Sequence, residues 1–233
     1  MNHWGRIFFG YDDQQNLKWI KGQPLHNHTE NCRFILEQFS SFYFHPETKD
    51  RLMKAVSLHD SGKKETFRIK TDDEDSGKFS YSFAGHRFRV PHDDPYVDGL
   101  IRSHHEFSVE QINREKAHIE SAEDKKRFPD DLYLLCMADQ IEAELAVKTV
   151  EKKKDDLSRT FMEFSTIRLT DKVPGDYTVV PWPFEPESFT LSFELKTLPL
   201  EGLKKNDPKT IEEALKKIEI SEKETLTITL RGK

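Results

Sequence analysis

The residues of this chain that could do chemistry are histidines and aspartates set where apolar side chains would be expected. His28 lies one helical step ahead of Cys32, Ile35 and Phe39. His59 follows Leu52, Ala55 and Val56 at the end of a second apolar stripe, and Asp60 shares a face with Met53 and Val56. His86 follows Phe83 in an alternating segment, and His104 and His105 follow Val97, Leu100 and Ile101. Asp139 sits on the face that carries Leu132, Leu135, Cys136 and Ala143. A carboxylate on a core-facing stripe needs a partner, because an isolated buried charge is very costly. No matching set of Arg or Lys lies on these stripes. Histidines and aspartates converging from several elements point instead to a metal site. Imidazole and carboxylate without thiolate suit Mn, Fe, Co, Ni or Zn rather than a Cys-rich structural zinc. Five histidines and two aspartates exceed what one ion with an open position takes; they fit two ions bridged by one carboxylate. Any one of these histidines alone reads as an ordinary core or surface residue. The set of seven, with adjacent His-Asp and His-His pairs, carries the reading. His26, two residues from His28, could replace it as a ligand, whereas His3, His45, His92 and His118 fall in polar or loop contexts.

The elements that must position these residues can be read from hydrophobic periodicity. The first 25 residues suggest a hairpin, with Ile7 to Phe9 and Leu17 to Ile20 flanking a polar stretch from Asp12 to Asn16. Helices are expected from Thr29 to about Phe44 and from Thr48 to Leu58. A second hairpin is expected between Lys64 and Val90, around the acidic turn Asp72 to Gly77. A third helix is expected from Asp94 to about Phe107. The charged stretch Ile112 to Arg127 reads as a loop or an exposed helix, and Pro129 reads as the start of a helix reaching toward Lys154. Beyond Phe161, strands are expected at Ile167 to Leu169, Tyr177 to Trp182, Phe189 to Leu195 and Leu226 to Leu230, with a short helix from Ile211 to Ile218. The chain is therefore expected to be mainly α with β additions, an α+β protein, divided into a core over residues 1–160 and a β-rich subdomain over 161–233 packed on it.

Composition bounds the function. With 233 residues, 33% charged, and 17 Phe beside 3 Trp and 6 Tyr, the chain is neither disordered nor a coiled coil. No apolar run approaches the ~20 residues a bilayer span needs, so no membrane partner is expected. The two cysteines, Cys32 and Cys136, sit in apolar helical patterns and read as reduced, buried thiols of a cytoplasmic protein. A net charge of −6 argues against a general nucleic-acid binder. There is no HExxH, no deaminase HxE with PCxxC, no P-loop and no GxGxxG.

The order H…HD…H…HH…D resembles the HD superfamily of metal-dependent phosphohydrolases, and more closely the HD nuclease of type I CRISPR systems. His59-Asp60-Ser61-Gly62-Lys63 is similar to that family's HDxGK, Gly85-His86 to its lone middle histidine, and His104-His105 to its double histidine. Pro24-Leu25 ahead of His28, and Ala138-Asp139, also follow the pattern, and the resemblance covers about residues 24 to 150. It implies a helical HD core holding two divalent ions, with Mn, Ni, Co or Fe ahead of Mg and Zn. One would be held by His28, His59, Asp60 and Asp139, the other by Asp60, His86, His104 and His105, with Asp60 the bridge. The nucleophile would be a hydroxide activated by both metals. Lys63, one short step past the bridge, would stabilise charge on the phosphate; without the motif match it would read as a solvated lysine. The implied activity is hydrolysis of phosphodiester bonds in single-stranded DNA, or RNA, during CRISPR interference in a prokaryotic cytoplasm. The nuclease would be a stand-alone subunit partnered by a CRISPR helicase and a targeting complex.

Several basic clusters could line an approach: Lys63 to Lys70, Lys125 to Arg127, Lys152 to Lys154, and Arg87 with Arg89. The last pair flanks a ligand position and is expected to touch phosphate. A phosphohydrolase acting on nucleotides or small phosphoesters is the alternative activity. A third reading is a degenerate HD module that docks partners; the β-rich tail is the better docking candidate, and its aromatic segment Tyr177 to Phe184 reads as an exposed interface or as ordinary core, core being the commoner case.

Overall fold

The computed structural model describes residues 1–71, 78–151, 160–162, 188–201, 203, 207–219 and 221–230. The acidic turn at 72–77, the expected strands at Ile167 to Leu169 and Tyr177 to Trp182, and Lys152 to Lys154 lie outside them.

Alternating apolar residues on either side of a polar turn give the first hairpin, in which β1 (Trp4–Tyr11) pairs antiparallel with β2 (Leu17–Pro24). Pro24, with φ −60° and ψ 144°, ends the strand and opens α1 (Leu25–Glu37) directly. The helix therefore starts before the expected Thr29. It also stops at Glu37 rather than near Phe44, because the Ser40 hydroxyl accepts from the Phe42 N–H and starts a separate short 3-10 turn, Ser41–Tyr43. The early start places His28 in the first turn of α1, against β1. α2 (Lys49–Leu58) matches its expected span and leads through His59 and Asp60 to the short α3 (Lys63–Thr66). The second hairpin, β3 (Phe67–Thr71) with β4 (Phe79–Phe83), sets Phe67 opposite Phe83.

In α4 (Pro95–Ser103) the Asp94 side chain accepts from the Tyr96 N–H at 2.9 Å, and Pro95 occupies the first turn, where its missing donor costs nothing. α5 (Val109–Lys116) is capped by Ser108, and α6 (Ala122–Glu151) by the Ser121 hydroxyl, which accepts from the Asp124 N–H at 3.2 Å. The charged stretch Ile112 to Arg127 thus belongs largely to two helices. Pro129 lies inside α6 rather than at its start. Ser121 fixes the beginning of the helix, and Phe128 and Leu132, both fully buried, hold the chain helical past a residue that removes one backbone hydrogen bond.

The remaining strands join the N-terminal hairpin. β2 pairs with β6 (Ser188–Leu198), β6 with β7 (Ser221–Leu230), and β5 (Thr160–Met162) runs parallel to β7, giving the order β1-β2-β6-β7-β5. α7 (Pro208–Leu215) connects β6 to β7 and packs on β3. One hydrophobic core is shared by α1, α2, α4 and α6 and closed by Phe189, Leu191 and Phe193 on the inward face of β6. A second fills the space between the hairpins and α7, with Trp4, Ile20, Phe67 and Leu215. The architecture is α+β, as the sequence indicates, with a helical core and a sheet whose C-terminal part is β-rich. No helix among the described residues is long and apolar enough to cross a membrane.

Candidate metal centre

Three of the histidines are placed by the same local device. The His59 imidazole, at the end of α2, donates through Nδ1 to the carbonyl of Val56 at 2.7 Å. His104, at the end of α4, donates to Ile101 at 2.6 Å, and His86 to Phe83 at 2.8 Å. A carbonyl only accepts, so Nδ1 carries a proton and Nε2 is the nitrogen left facing inward, free to offer a lone pair when the ring is neutral. This is the tautomer a metal ligand needs. His28 uses a carboxylate instead, its Nδ1 lying 2.5 Å from Glu142 Oε2.

Two glycines make the arrangement possible. Gly85 adopts φ +71°, a left-handed conformation natural to glycine, and turns the chain from β4 into the His86–Phe88 3-10 turn. Gly62, within His59-Asp60-Ser61-Gly62-Lys63, faces the backbone of that turn so closely that a Cβ would stand 2.0 Å from the His86 carbonyl oxygen. The glycine of this segment is thus fixed by packing, and it seats the His86 turn on the Asp60 turn.

All seven sequence-predicted ligands meet in one centre. Asp60 Oδ2 lies 2.8 Å from His28 Nε2 and 3.5 Å from His59 Nε2. Its other oxygen, Oδ1, lies 3.0 Å from His86 Nε2 and 3.5 Å from His104 Nε2. Asp139 Oδ1 is 3.4 Å from His28 Nε2 and 3.9 Å from His59 Nε2, and its Oδ2 is 3.9 Å from His105 Nδ1. Two groups of donor atoms each fall within 4.8 Å of one another: His28, Cys32, His59 and Asp139, and Asp60, His86, His104 and His105. Cys32, a reduced, buried thiol by its sequence pattern, is thereby a further candidate donor, with Sγ 3.8 Å from His28 Nε2. His28, His59, Asp60 and His104 are almost wholly buried, while His105 keeps 44% of its side chain exposed and marks the open side.

The polar atoms themselves test whether a cation fits. His59 Nε2, both Asp60 oxygens and Asp139 Oδ1 are buried, yet among the described residues none makes a hydrogen bond of acceptable geometry, despite neighbours close enough for one. Buried polar groups are normally satisfied. Lone pairs that crowd together without bonding one another share a point of convergence, which a cation would satisfy. The buried His, Asp and Cys groups can therefore hold a metal ion.

Electrostatics keeps the carboxylates charged and loads His28 and His59 with protons that a cation would displace. At Asp60 burial favours the neutral acid, but the charges of Lys63 and His59 and the nearby imidazoles of His104 and His28 hold its pKa well below the usual carboxylate range. At Asp139 burial is likewise outweighed, here by His59 and His28. Burial opposes charging of His59, yet Asp60 and Asp139 push it up to about 10. At His28 burial is overcome by Cys32, Glu142 and Asp60, which hold the pKa well above the ordinary value. His104, where burial dominates, is lowered.

Lys63 is buried, not solvated. Its ammonium forms an ion pair with Asp60 Oδ2, donates to the Gly5 carbonyl at 3.4 Å and lies 5.0 Å from the Phe83 ring centre. Periodicity did not single out the residues behind His28. Gln23 donates to Glu142 Oε1 at 2.6 Å, Arg6 Nε lies 3.4 Å from Glu142 Oε2, and Arg6 Nη2 lies 3.6 Å from Asp139 Oδ1. The available clue was Glu142 itself, three residues past Asp139 on one helix face. His26 is outside the centre, exposed and paired with Glu194 at 2.9 Å. Arg87 and Arg89 stand on the rim, with Arg87 3.8 Å from Glu106 and Arg89 exposed.

Residues 94–200 match a family model, DUF3891, described as a protein of unknown function. That segment contains His104, His105, Asp139 and Glu142, while His28, His59, Asp60, Lys63 and His86 precede it. No curated protein matches the chain, and no solved structure does.

Proposed function

We propose that this chain is a metal-dependent hydrolase of phosphodiester bonds in single-stranded nucleic acid, chiefly DNA. The observation that carries the reading is Asp60, whose two oxygens face two different sets of imidazole nitrogens. Two divalent ions, Mn, Ni, Co or Fe ahead of Mg or Zn, held by His28, His59, Asp60 and Asp139 and by Asp60, His86, His104 and His105, would supply a water acidified toward neutrality and a clamp for phosphate oxygens. The thiol of Cys32 beside the first set adds a soft donor, which favours the transition metals over Mg.

The chain's own residues divide the remaining work. Lys63 holds Asp60 ionised and, from the same place, offsets negative charge gathering beside it. His105 and the Arg87–Arg89 rim leave one side open to a strand, and the two guanidiniums would grip its phosphates. The order of motifs supports a nuclease of the HD type working in CRISPR interference beside a helicase and a targeting complex. The acidic balance of the whole chain suits a subunit handed its substrate by such a partner.

The test strips the protein with chelator and restores Mn, Co, Ni, Mg or Zn singly. Circular single-stranded DNA, matching duplex and a panel of nucleotides are then offered, with Asp60→Ala alongside. Linearised, then degraded, circles that depend on a transition metal and on Asp60 are expected. Intact circles with phosphate released from a nucleotide would replace this reading with a small-phosphoester hydrolase.

A further inference from the structure

We propose that Phe88 is a stacking platform for a base of the single strand, an inference that rests on the phosphodiesterase reading and narrows its substrate. The 3-10 turn His86–Phe88 that aims His86 into the centre necessarily fixes the next residues at its edge. Arg87 reaches toward Glu106, the residue after the exposed ligand His105, so its guanidinium lies on the open side. One of its nitrogens, Nη1, is buried and has no hydrogen-bond partner among the described residues. The same guanidinium lies 5.1 Å from the centre of the Phe88 ring, and Phe88 is 56% exposed. Arg89 is exposed and has no ion pair among the described residues.

Three consecutive residues thus present a cation, an aromatic ring and a cation, beginning one residue past a metal-ligand position. A single exposed phenylalanine needs no explanation by itself. One held between Arg87, which has one nitrogen without a partner among the described residues, and the exposed Arg89, beside the proposed phosphodiester-cleaving centre, matches the recurring design for single strands: charges that follow the backbone and a ring that stacks on a base. Every base has a π face, so such a platform is tolerant of sequence. In a duplex those faces are covered by neighbouring bases, so the platform selects single strands over duplex and base-bearing strands over small phosphoesters.

The test measures binding of two fluorescent, uncleavable phosphorothioate 12-mers to the metal-loaded protein: oligothymidine, and an abasic strand with the same phosphates. The wild-type protein is expected to bind the base-bearing strand about five- to a hundredfold more tightly. Phe88→Ala should abolish that preference with metal content and affinity for the abasic strand unchanged, and Phe88→Trp should keep it. A preference that survives Phe88→Ala, or no preference in a protein that binds the abasic strand and cleaves DNA, overturns this inference alone. Failure to bind either strand, together with no Asp60-dependent cleavage, overturns it along with the phosphodiesterase reading.

Discussion

The two halves of the centre are held by different means. In the deep half, His59 rests on the Val56 carbonyl, but His28 is backed by the Glu142 carboxylate and Asp139 by the Arg6 guanidinium, with Gln23 fixing Glu142, all buried or nearly so. In the rim half, His86 and His104 are backed only by the neutral carbonyls of Phe83 and Ile101, and His105 stands partly in solvent. A carboxylate behind an imidazole raises its basicity and its affinity for a cation, whereas a carbonyl mainly fixes orientation. On the proposed function, the deep half would keep a cation and the rim half would hold one while admitting substrate. Asp60 belongs to both, and Lys63 keeps it charged.

The largest effect should come from the residue that joins the halves. Asp60→Ala should remove cation binding at both and lower hydrolysis by more than the ~100-fold that outer-shell changes reach. Metal content by mass spectrometry and single-strand cleavage report it; retention of either cation would break the picture of a shared bridge. Glu142→Gln should weaken the deep cation roughly 10- to 100-fold and leave the rim cation nearly untouched. His105→Ala should do the reverse, and competition with a chromogenic chelator resolves the two. Equal losses at both sites in both variants would erase the distinction between the halves.

Gly62→Ala should act through packing. The added Cβ meets the His86 carbonyl, so the rim turn must shift, at a cost of about 1–3 kcal/mol in denaturant unfolding and with loss of rim metal first. The smallest effect concerns pH. Cys32 and the carboxylates of Glu142 and Asp60 raise the pKa of His28, and Asp60 and Asp139 raise that of His59, so the metal-free protein holds protons there that a cation must displace. Deep-site affinity should therefore rise with pH, by at most about tenfold per unit for each proton released, and calorimetry in buffers of different ionisation heat counts those protons.

The seven residues that meet in the centre were legible in the sequence because each falls on, or at the end of, an apolar stripe or alternating segment. The helix that carries His28 was read too late, because the junction at Pro24, strand into helix with no loop, leaves no turn residues to mark it. Pro129 misled for the opposite reason: packing of Phe128 and Leu132 outweighs a local breaker. The support behind His28 was hidden because Arg6 and Gln23 lie on β1 and β2, far along the chain from Glu142, and only the tertiary fold brings them together. The pairing of β2 with β6 was equally hidden, since short periodic strands carry no record of a partner some 175 residues away.

The most direct test of the account is a crystal of the protein grown with Mn, read by anomalous scattering at the manganese edge. The account predicts two peaks on opposite sides of the Asp60 carboxylate, one among His28, His59 and Asp139, the other among His86, His104 and His105. A single peak, or two peaks on one side of Asp60, would contradict it.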